Sequence, residues 1–442
     1  MTQSRVLIIA DDLTGSLDTG VHFAEAGLRT AVVGVERSAA VAPECRAVVV
    51  NTESRHTSAQ DAALRISAAV DAFARGPATV IYKKTDSTLR GNIAAEFAAL
   101  LAHRHGRSIV FAPALPAQGR TTSAGVHYVH GTPLAKTDFA RDPVNPITTS
   151  VIAELLTGAN IPEVVQCTPT DLETTLLSSL EGSVLVVDAA SEEDLAQIAA
   201  VCRAHPKRVI PAGSAGLAHH LLADMAAGDT NSPAILSLPR PRILVSGSLN
   251  PVALAQSAEA IALGLADVEL SPDVAAALID AATRAKANPQ TTAAGARAAA
   301  VITNAAEALA AGRDLCLRTV LDREQAPQWS ERFRASCTID RPMHVSLPAA
   351  YGQLVRKIMD GTRIGTLVVF GGDTLNGILD ALAVPAIEPI AQIMPGVVRS
   401  EIDAEGYRLT LITKAGGFGA DVPLVRTIFA DTYPSRPPDV AG

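Results

Sequence analysis

One arrangement recurs along this chain and constrains its fold more than any other feature: a short apolar run, then a polar turn that often contains glycine, then a helical stretch. Continuous apolar runs of this length are typical of strands whose two faces are both covered. Their alternation with helices predicts a largely parallel sheet, and therefore an α/β fold. The runs occupy residues 6–10, 47–50, 79–82, 109–112, 184–187 and 209–210, and again 243–245, 315–317, 367–370 and 409–412.

A segment rich in proline, glycine, asparagine and serine separates the two groups of runs. It reads AAGDTNSPAILSLPRPR (226–242), a composition that favours a linker. We therefore predict two α/β domains, residues 1–228 and residues 242–442, joined by residues 229–241. The alanine-dense stretch 274–311 is predicted to be helical, because alanine is the best helix former. Hydrophobic residues make up 48% of the chain and aromatic residues only 3%, which suits helices packed closely on sheets.

Charge and cysteine usage exclude several classes of protein. Lys and Arg number 37 against 45 Asp and Glu, so a nucleic-acid partner is not expected. The five cysteines show no C-x-x-C spacing, which favours reduced thiols in a cytosolic protein over disulfides or a zinc site. The first residues do not resemble a signal peptide, and no apolar stretch is long enough to span a membrane. We therefore predict a cytoplasmic protein with no membrane partner.

Polar side chains follow the strand-like runs of the first half. Ligands of open parallel sheets bind beyond the carboxyl ends of the strands, so these side chains mark a candidate site. Asp11 and Asp12 come directly after the first run, where carboxylates can order a substrate hydroxyl, accept its proton or hold a metal. The structural alternative is that one of them caps the next helix.

Cations follow two further runs of the same half. Arg55 lies in NTESRH, and Lys83, Lys84 and Arg90 lie in KKTDSTLRGN. Cations beside acids at one sheet edge favour capture of a small anion, most simply a carboxylate. The alternative is a surface network of ion pairs, which contributes little free energy.

The second half has glycines and hydroxyls after its runs, in SGSLNP, GGDTLNG and KAGGFG. Backbone N–H groups at such positions can hold phosphate groups, although glycines after strands also serve ordinary tight turns. Neither a P-loop nor a G-x-G-x-x-G pattern is present. Asp373 suits chelation of Mg²⁺ between phosphates, or it caps the following helix.

The ordered set of motifs resembles one family, the four-carbon acid sugar kinases. The matching segments are IADDLTGSLDTG, NTESRH, KKTDSTLRGN, APALPAQGRTT, GSAGLA, VSGSLNP, FGGDTLNGIL, PGVV and TKAGGFG. The resemblance implies an ATP-dependent kinase that acts on the terminal (4-) hydroxyl of a four-carbon sugar acid. It also implies an N-terminal domain for the acid, a C-terminal domain for the nucleotide, an active site in the cleft between them, and a possible homodimer.

The form KKTDST is similar to the threonate and erythronate branch of the family, so D-threonate is the expected substrate. D-erythronate, L-threonate and 3-oxo-tetronate remain alternatives. One departure from the family pattern is Phe370, which precedes GGDT where a small residue is common.

The resemblance also assigns residues by motif. Asp12 and Asp86 are the candidate catalytic acids, and Asp12 is favoured as the base because cations beside Asp86 should lower its pKa. The sugar acid is expected to meet Asp11, Asp12, Arg55, Lys83, Lys84, Thr85 and Asp86. ATP is expected to meet Ser246, Gly371, Gly372, Asp373, Thr374, Gly416 and Gly417, with Mg²⁺ at Asp373.

Two other classes of protein remain open. A non-kinase enzyme acting on the same acids, such as a dehydrogenase or an aldolase, is disfavoured by the missing dinucleotide fingerprint and by the lack of a lysine in an evident apolar pocket. A sugar-acid sensor would not need both an anion site and phosphate loops. Consumption of ATP in the presence of threonate distinguishes the kinase from both.

Overall fold

The computed structural model describes most of the chain, and it divides into two compact units, Met1–Ser232 and Pro233–Gly442. The described residues are 5–73, 80–104, 106–142, 145–222, 238–283, 292–338, 342–404, 406–414 and 423–429. Most of the predicted linker, residues 229–237, and the predicted nucleotide contacts Gly416 and Gly417 lie outside the described residues.

The first unit is built on a sheet of eight parallel strands in the order β2-β3-β1-β4-β11-β5-β10-β9. These strands are β1 (Val6–Ala10), β2 (Thr30–Gly34), β3 (Ala47–Asn51), β4 (Val80–Lys84), β5 (Ser108–Ala112), β9 (Val164–Cys167), β10 (Val184–Val187) and β11 (Val209–Gly213). Every residue of β1, β3, β5 and β10 is buried, as their continuous apolar sequences predict.

Helices and a small second sheet complete the first unit. The helices are α1 (Leu13–Glu25), α2 (Ala59–Phe73), α3 (Ile93–His103), α4 (Ile152–Leu155), α5 (Leu172–Ser178), α6 (Glu192–Ala204) and α7 (Ala215–His220). The second sheet is antiparallel and consists of β6 (Arg120–Ser123), β7 (Val126–Val129) and β8 (Thr132–Pro133). It follows the carboxyl end of β5, so it lies on the side of the main sheet where ligands are expected.

The second unit has a mixed sheet in the order β13-β14-β12-β15-β18-β17-β16. Its strands are β12 (Arg242–Ser246), β13 (Ala266–Glu269), β14 (Leu315–Arg318), β15 (Thr366–Phe370), β16 (Ile387–Met394), β17 (Val397–Ala404) and β18 (Tyr407–Lys414). The first five strands of that order are parallel, whereas β17 pairs antiparallel with both β18 and β16.

Seven helices cover this second sheet within the described residues. They are α8 (Pro251–Leu263), α9 (Pro272–Thr283), α10 (Ala293–Ala310), α11 (Ala326–Ser336), α12 (Met343–Met359), α13 (Gly372–Ala381) and α14 (Leu424–Phe429). One core of the unit joins side chains of β12, β15 and β18 to α14, among them Leu244, Val368, Ile412 and Phe429.

The predicted α/β class and the largely parallel sheets are confirmed. Each predicted apolar run coincides with a strand, and the stretch 274–311 is helical where it is described. Five strands of the two main sheets were not predicted: β2, β9, β13, β16 and β17. Within β16 and β17 polar residues interrupt the apolar pattern, as expected for the exposed face of an antiparallel hairpin.

Two further observations concern the chain as a whole. All five cysteines are free thiols, and four of them are buried. Among the helices that the structure describes, none has the length and hydrophobicity needed to cross a bilayer.

Candidate functional site

The carboxyl end of β1 carries an arginine held by two carboxylates. Nε and Nη2 of Arg55 donate to the two carboxylate oxygens of Asp11, at 2.7 and 3.0 Å. Nη1 and Nη2 donate to the two oxygens of Asp12, at 2.9 and 2.8 Å. Arg55 reaches them because its backbone N–H and that of Ser54 bond to the carbonyl of Asp11. All the donor nitrogens of this guanidinium are therefore used within the protein.

Asp12 is also the N-cap of α1, which confirms the structural alternative for this acid. Its Oδ1 accepts from the backbone N–H of Gly15 at 3.1 Å, and the hydroxyl of Thr14 donates to Oδ2 at 2.6 Å. Burial alone would raise the pKa of Asp12. The charges of Arg55 and Lys84 outweigh burial and hold that pKa below its usual value. Asp12 is thus ionised at neutral pH.

Asp86 stands at the next strand end with its own arginine. Nε of Arg90 donates to Oδ2 of Asp86 at 2.7 Å and Nη2 to Oδ1 at 3.3 Å, and the hydroxyl of Thr88 donates to Oδ2 at 2.5 Å. Arg55 lies 4.0 Å from the same carboxylate. Burial opposes ionisation, but Arg90 and Arg55 hold the pKa of Asp86 well below its ordinary range. Asp86, like Asp12, is thus ionised at neutral pH.

The two lysines of β4 point to opposite faces of the sheet, as successive residues of a strand must. Nζ of Lys83 forms a fully buried ion pair with Glu96 of α3 at 3.0 Å, and Ser54 also donates to Glu96. Glu96 of α3 therefore joins β4 to the segment that carries Arg55, and the charge of Lys83 is neutralised inside the protein.

Lys84 faces the acids. Its Nζ donates to the carbonyl of Thr85 at 3.0 Å and forms no ion pair within the described part of the chain. A β-carbon on Gly15 would lie 2.8 Å from this Nζ and 2.5 Å from Oδ1 of Asp12, so the glycine leaves room for both groups. Thr85 is 1% exposed, and its hydroxyl is buried with no hydrogen-bond partner among the described residues. Lys84 and Thr85 thus keep donors that a ligand can use.

In the second unit, the loop after β12 touches the first turn of α13. A β-carbon on Gly247 would lie 1.8 Å from Oγ1 of Thr374, so only glycine permits this approach. The hydroxyl of Ser246 is buried and has no hydrogen-bond partner in the part of the chain that the structure describes. The helix α8 begins in the same loop, where Asn250 caps it through the N–H of Val252 at 2.9 Å.

The N-terminus of α13 is open to an anion. Its N-cap, Gly371, has φ of 109°, a conformation that favours glycine, and it carries no side chain that could cap the helix. The free N–H groups of this first turn and the helix dipole suit a phosphate group. Asp373 in that turn is exposed, and its carboxylate has no hydrogen bond or ion pair among the described residues.

Lys414 ends β18 beside this turn. Its Nζ lies 5.0 Å from the centre of the Phe370 ring, and its backbone carbonyl accepts from the N–H of Gly371 at 3.3 Å. Burial lowers the pKa of Lys414 to about 8. Phe370, the departure from the family pattern, is thus fully buried and packs against this ammonium group.

The comparisons with known proteins agree with a charged site in the first unit and a phosphate site in the second. Residues 6–221 match the model of a sugar-binding N-terminal domain, and residues 243–423 match that of a nucleotide-binding C-terminal domain. A D-threonate kinase of Salmonella typhimurium is 34% identical, over 96% of this chain and 98% of its own. The chain belongs to the four-carbon acid sugar kinase family.

Two further relatives extend the comparison. A D-threonate kinase of Bordetella bronchiseptica is 32% identical over 95% of both chains. A solved protein of Salmonella typhimurium LT2 has the same fold, with a TM-score of 0.72 at 22% identity, over 96% of this chain and 98% of that one. This kinase is therefore a phosphotransferase, and its C-terminal domain indicates ATP as the donor.

The structure brings together most of the residues predicted for the sugar-acid site of the kinase. Asp11, Asp12, Arg55 and Asp86 form one charged cluster, and Lys84 lies beside Asp12. Lys83 is the exception, because its ammonium group is paired with Glu96 on the other face. Of the predicted nucleotide contacts, Gly371, Gly372, Asp373 and Thr374 share the first turn of α13.

Several residues near this cluster were not predicted from the sequence. Asp142 accepts from Nη1 of Arg90 at 3.3 Å. His127 is buried, its ring nitrogens lie 2.9 Å from the Ser87 carbonyl and 2.9 Å from the Thr122 hydroxyl, and burial lowers its pKa to about 4. Arg120 lies in the segment APALPAQGRTT, which follows a buried strand. Its position after a strand end could have marked it as a candidate site residue.

Proposed function

We propose that this kinase transfers the γ-phosphate of ATP to the terminal (4-) hydroxyl of D-threonate in the cytoplasm. The observation that carries the proposal is the buried cluster of Asp11, Asp12, Arg55 and Asp86 at the carboxyl edge of the first sheet. Relatives that are D-threonate kinases, at 34% and 32% identity over nearly the whole chain, support this choice of acid.

In this proposal the ionised acids of the first unit bind the hydroxyl groups of the substrate. Asp12 is the base that receives the proton of the reacting hydroxyl, since it lies at the carboxyl end of β1 beside the ammonium group of Lys84, which has protons left to bind the substrate. Arg55 holds Asp12 through two hydrogen bonds, so the carboxylate is already oriented before the substrate arrives. Lys84 and Thr85 supply hydrogen-bond donors beside it.

The second unit holds the nucleotide through backbone groups. The free N–H groups at the start of α13 and the hydroxyl of Ser246 bind phosphate oxygens, and Thr374 keeps their two loops in contact. Gly416 and Gly417 belong to the same proposal. Phosphoryl transfer needs positioning and charge neutralisation more than covalent catalysis by the protein. A site that only binds and orients the phosphates is therefore sufficient for the nucleotide.

The residues present fit a Mg²⁺ ion that is held mainly by phosphate oxygens. Mg²⁺ in kinases commonly takes one or two protein carboxylates together with phosphates and water. Asp373 supplies one exposed carboxylate in the first turn of α13. Among the described residues no group of three or more His, Cys, Asp or Glu side chains gathers to hold a metal by itself. When bound, Mg²⁺ would neutralise charge on the β- and γ-phosphates.

A coupled ADP-release assay on the full chain tests the function. D-threonate, L-threonate, D-erythronate and 3-oxo-tetronate are offered separately with ATP and Mg²⁺, and we expect the highest kcat/KM with D-threonate. The phosphorylated product is then analysed by ³¹P NMR, which distinguishes a 4-phosphate from an acyl phosphate. If none of the four acids increases ADP release above the rate with ATP alone, the proposal is wrong.

A further inference from the structure

Three arginines converge near Asp86, and two of them hold a carboxylate in the same way. Arg55 uses Nε and Nη2 to grip both oxygens of Asp11, and Arg90 uses Nε and Nη2 to grip both oxygens of Asp86. These two nitrogens donate in parallel, which matches the spacing of the oxygens of a carboxylate.

The third arginine, Arg120, is anchored differently. It is the first residue of β6, and its Nη1 donates to the backbone carbonyl and the side-chain oxygen of Gln118, at 2.8 and 2.7 Å. Its Nε is buried without a hydrogen-bond partner, and the hydrogen bonds that its guanidinium makes to the described residues come from Nη1 and not from Nε or Nη2. The guanidinium is thus fixed at one nitrogen, while the pair of nitrogens that grips carboxylates elsewhere in this unit stays unused.

Among the residues that the structure describes, Arg120 also lacks a neutralising partner. It forms no ion pair within the described part of the chain, although it lies close enough to Asp86 and Arg90 to feel both charges. His127, the other titratable group that faces it, is held neutral by burial at pH 7. Burial lowers the pKa of Arg120, because the charged form is less stable when it is kept partly out of water. A partly desolvated cation with unused donors suits an anionic ligand.

The other cations near the site are less suitable for a carboxylate. Every nitrogen of the Arg55 guanidinium already donates to Asp11 or Asp12. Arg90 donates to Asp86 and Asp142. Lys84 has unused protons, but its ammonium group lies beside Asp12, where the reacting hydroxyl is placed.

We propose that Arg120 receives the carboxylate of the sugar acid through Nε and Nη2. This inference rests on the proposed function and adds the orientation of the bound sugar acid to it. The acid group lies at the Arg120 side of Asp86, and the terminal hydroxyl lies at the Asp12 side. Arg120 is then a specificity-determining residue, because a neutral polyol would leave its guanidinium without a partner.

The test compares Arg120→Met and Arg120→Lys with the wild-type chain in the ADP-release assay. Losing a charge-assisted bidentate contact weakens binding by about ten- to a hundredfold, so KM for D-threonate should rise by that factor in Arg120→Met. KM for ATP should stay within about twofold. Arg120→Lys keeps the charge but cannot donate two parallel hydrogen bonds, and its KM should lie between the other two.

The matched control is Arg208→Met, which removes an exposed arginine of the same unit that precedes β11 at the opposite edge of the sheet. Its KM for both substrates should equal that of the wild type. Thermal denaturation establishes that each variant is folded, and if Arg120→Met does not fold, Arg120→Lys alone decides.

The outcomes separate the two proposals. If the wild-type chain shows no turnover with any four-carbon acid, the proposed function fails. If the wild-type chain turns over D-threonate while both Arg120 variants keep its KM, Arg120 does not hold the carboxylate. An equal rise in KM for ATP and for D-threonate would also overturn the inference, since it would indicate a general structural effect.

Discussion

The two units prepare their ligand sites by opposite means. The first unit buries a set of ionised side chains that hold one another, with Arg55 between two aspartates and Arg90 on a third. The second unit places almost no charge at its candidate site and relies on glycines, hydroxyls and the free N–H groups at the start of α13. The charged residues that the structure describes beside this turn are Lys414 and Asp373.

This difference reflects the two kinds of ligand. A sugar acid is recognised by the position of each hydroxyl, and fixed carboxylates with lowered pKa values are strong, directional acceptors. A phosphate chain carries its own charge and can be held by backbone N–H groups, which need close approach. We therefore expect the first unit to be sensitive to the loss of charge, and the second to the addition of volume.

The largest expected effect is at Asp12. Asp12→Asn keeps the shape of the side chain and its ability to cap α1, but it cannot accept a proton. We expect kcat to fall by about 10²–10⁴, with D-threonate still bound, as measured by steady-state kinetics and calorimetry. Near-normal turnover in this variant, together with an inactive Asp86→Asn, would assign the base to Asp86.

Replacement of Arg55 tests whether its charge stabilises the fold or binds the ligand. From the sequence it was expected to hold the substrate carboxylate, so that its loss would raise only the KM of the acid. Because every nitrogen of the guanidinium already donates to Asp11 or Asp12, Arg55→Met should instead lower the free energy of unfolding by about 3–5 kcal/mol. Urea unfolding measures this change. An unaltered unfolding curve with a raised KM would restore the original expectation.

Gly247 tests the sensitivity of the second unit to volume. In Gly247→Ala the new β-carbon would meet Oγ1 of Thr374 at 1.8 Å, so the two loops must move apart. Overpacking of this kind costs about 1–3 kcal/mol, and we expect affinity for ATP to fall about tenfold by calorimetry. The control Gly361→Ala adds a β-carbon with no atom within 4 Å and should bind ATP normally. Equal affinities in the two variants would contradict the proposed role of this contact.

The smallest expected effect concerns the stability of the protein at acidic pH. Burial lowers the pKa of His22 and of His127 to about 4, against 6.5 in the unfolded chain. Between these values the unfolded state binds more protons, so stability should fall as pH decreases from 6.5 to 4. His127→Gln cannot titrate there, and its free energy of unfolding in urea should depend less on pH than that of the wild type. Parallel pH profiles for the two chains would refute this account.

The strands were predictable wherever burial on both faces removes polar residues. The ten apolar runs coincide with strands because a central parallel strand tolerates little else, as β1 and β5 illustrate. The hairpin of β16 and β17 was missed because residues such as Gln392 and Glu401 alternate with apolar ones and break the continuous pattern. The edge strands β9 and β13, which carry exposed residues such as Gln166 and Asp267, lack the same signal.

The sequence by itself determined the class of the fold, the family and the loops that carry the chemistry, because strand ends and glycine turns are local features. Only the tertiary structure decided which charges neutralise one another. Lys83 and Lys84 are adjacent in sequence, yet the pleat of β4 sends one to Glu96 and the other toward Asp12. Likewise the sequence does not distinguish Arg55, Arg90 and Arg120, and only the hydrogen bonds of the folded chain show that the first two hold carboxylates while Arg120 keeps Nε and Nη2 unused.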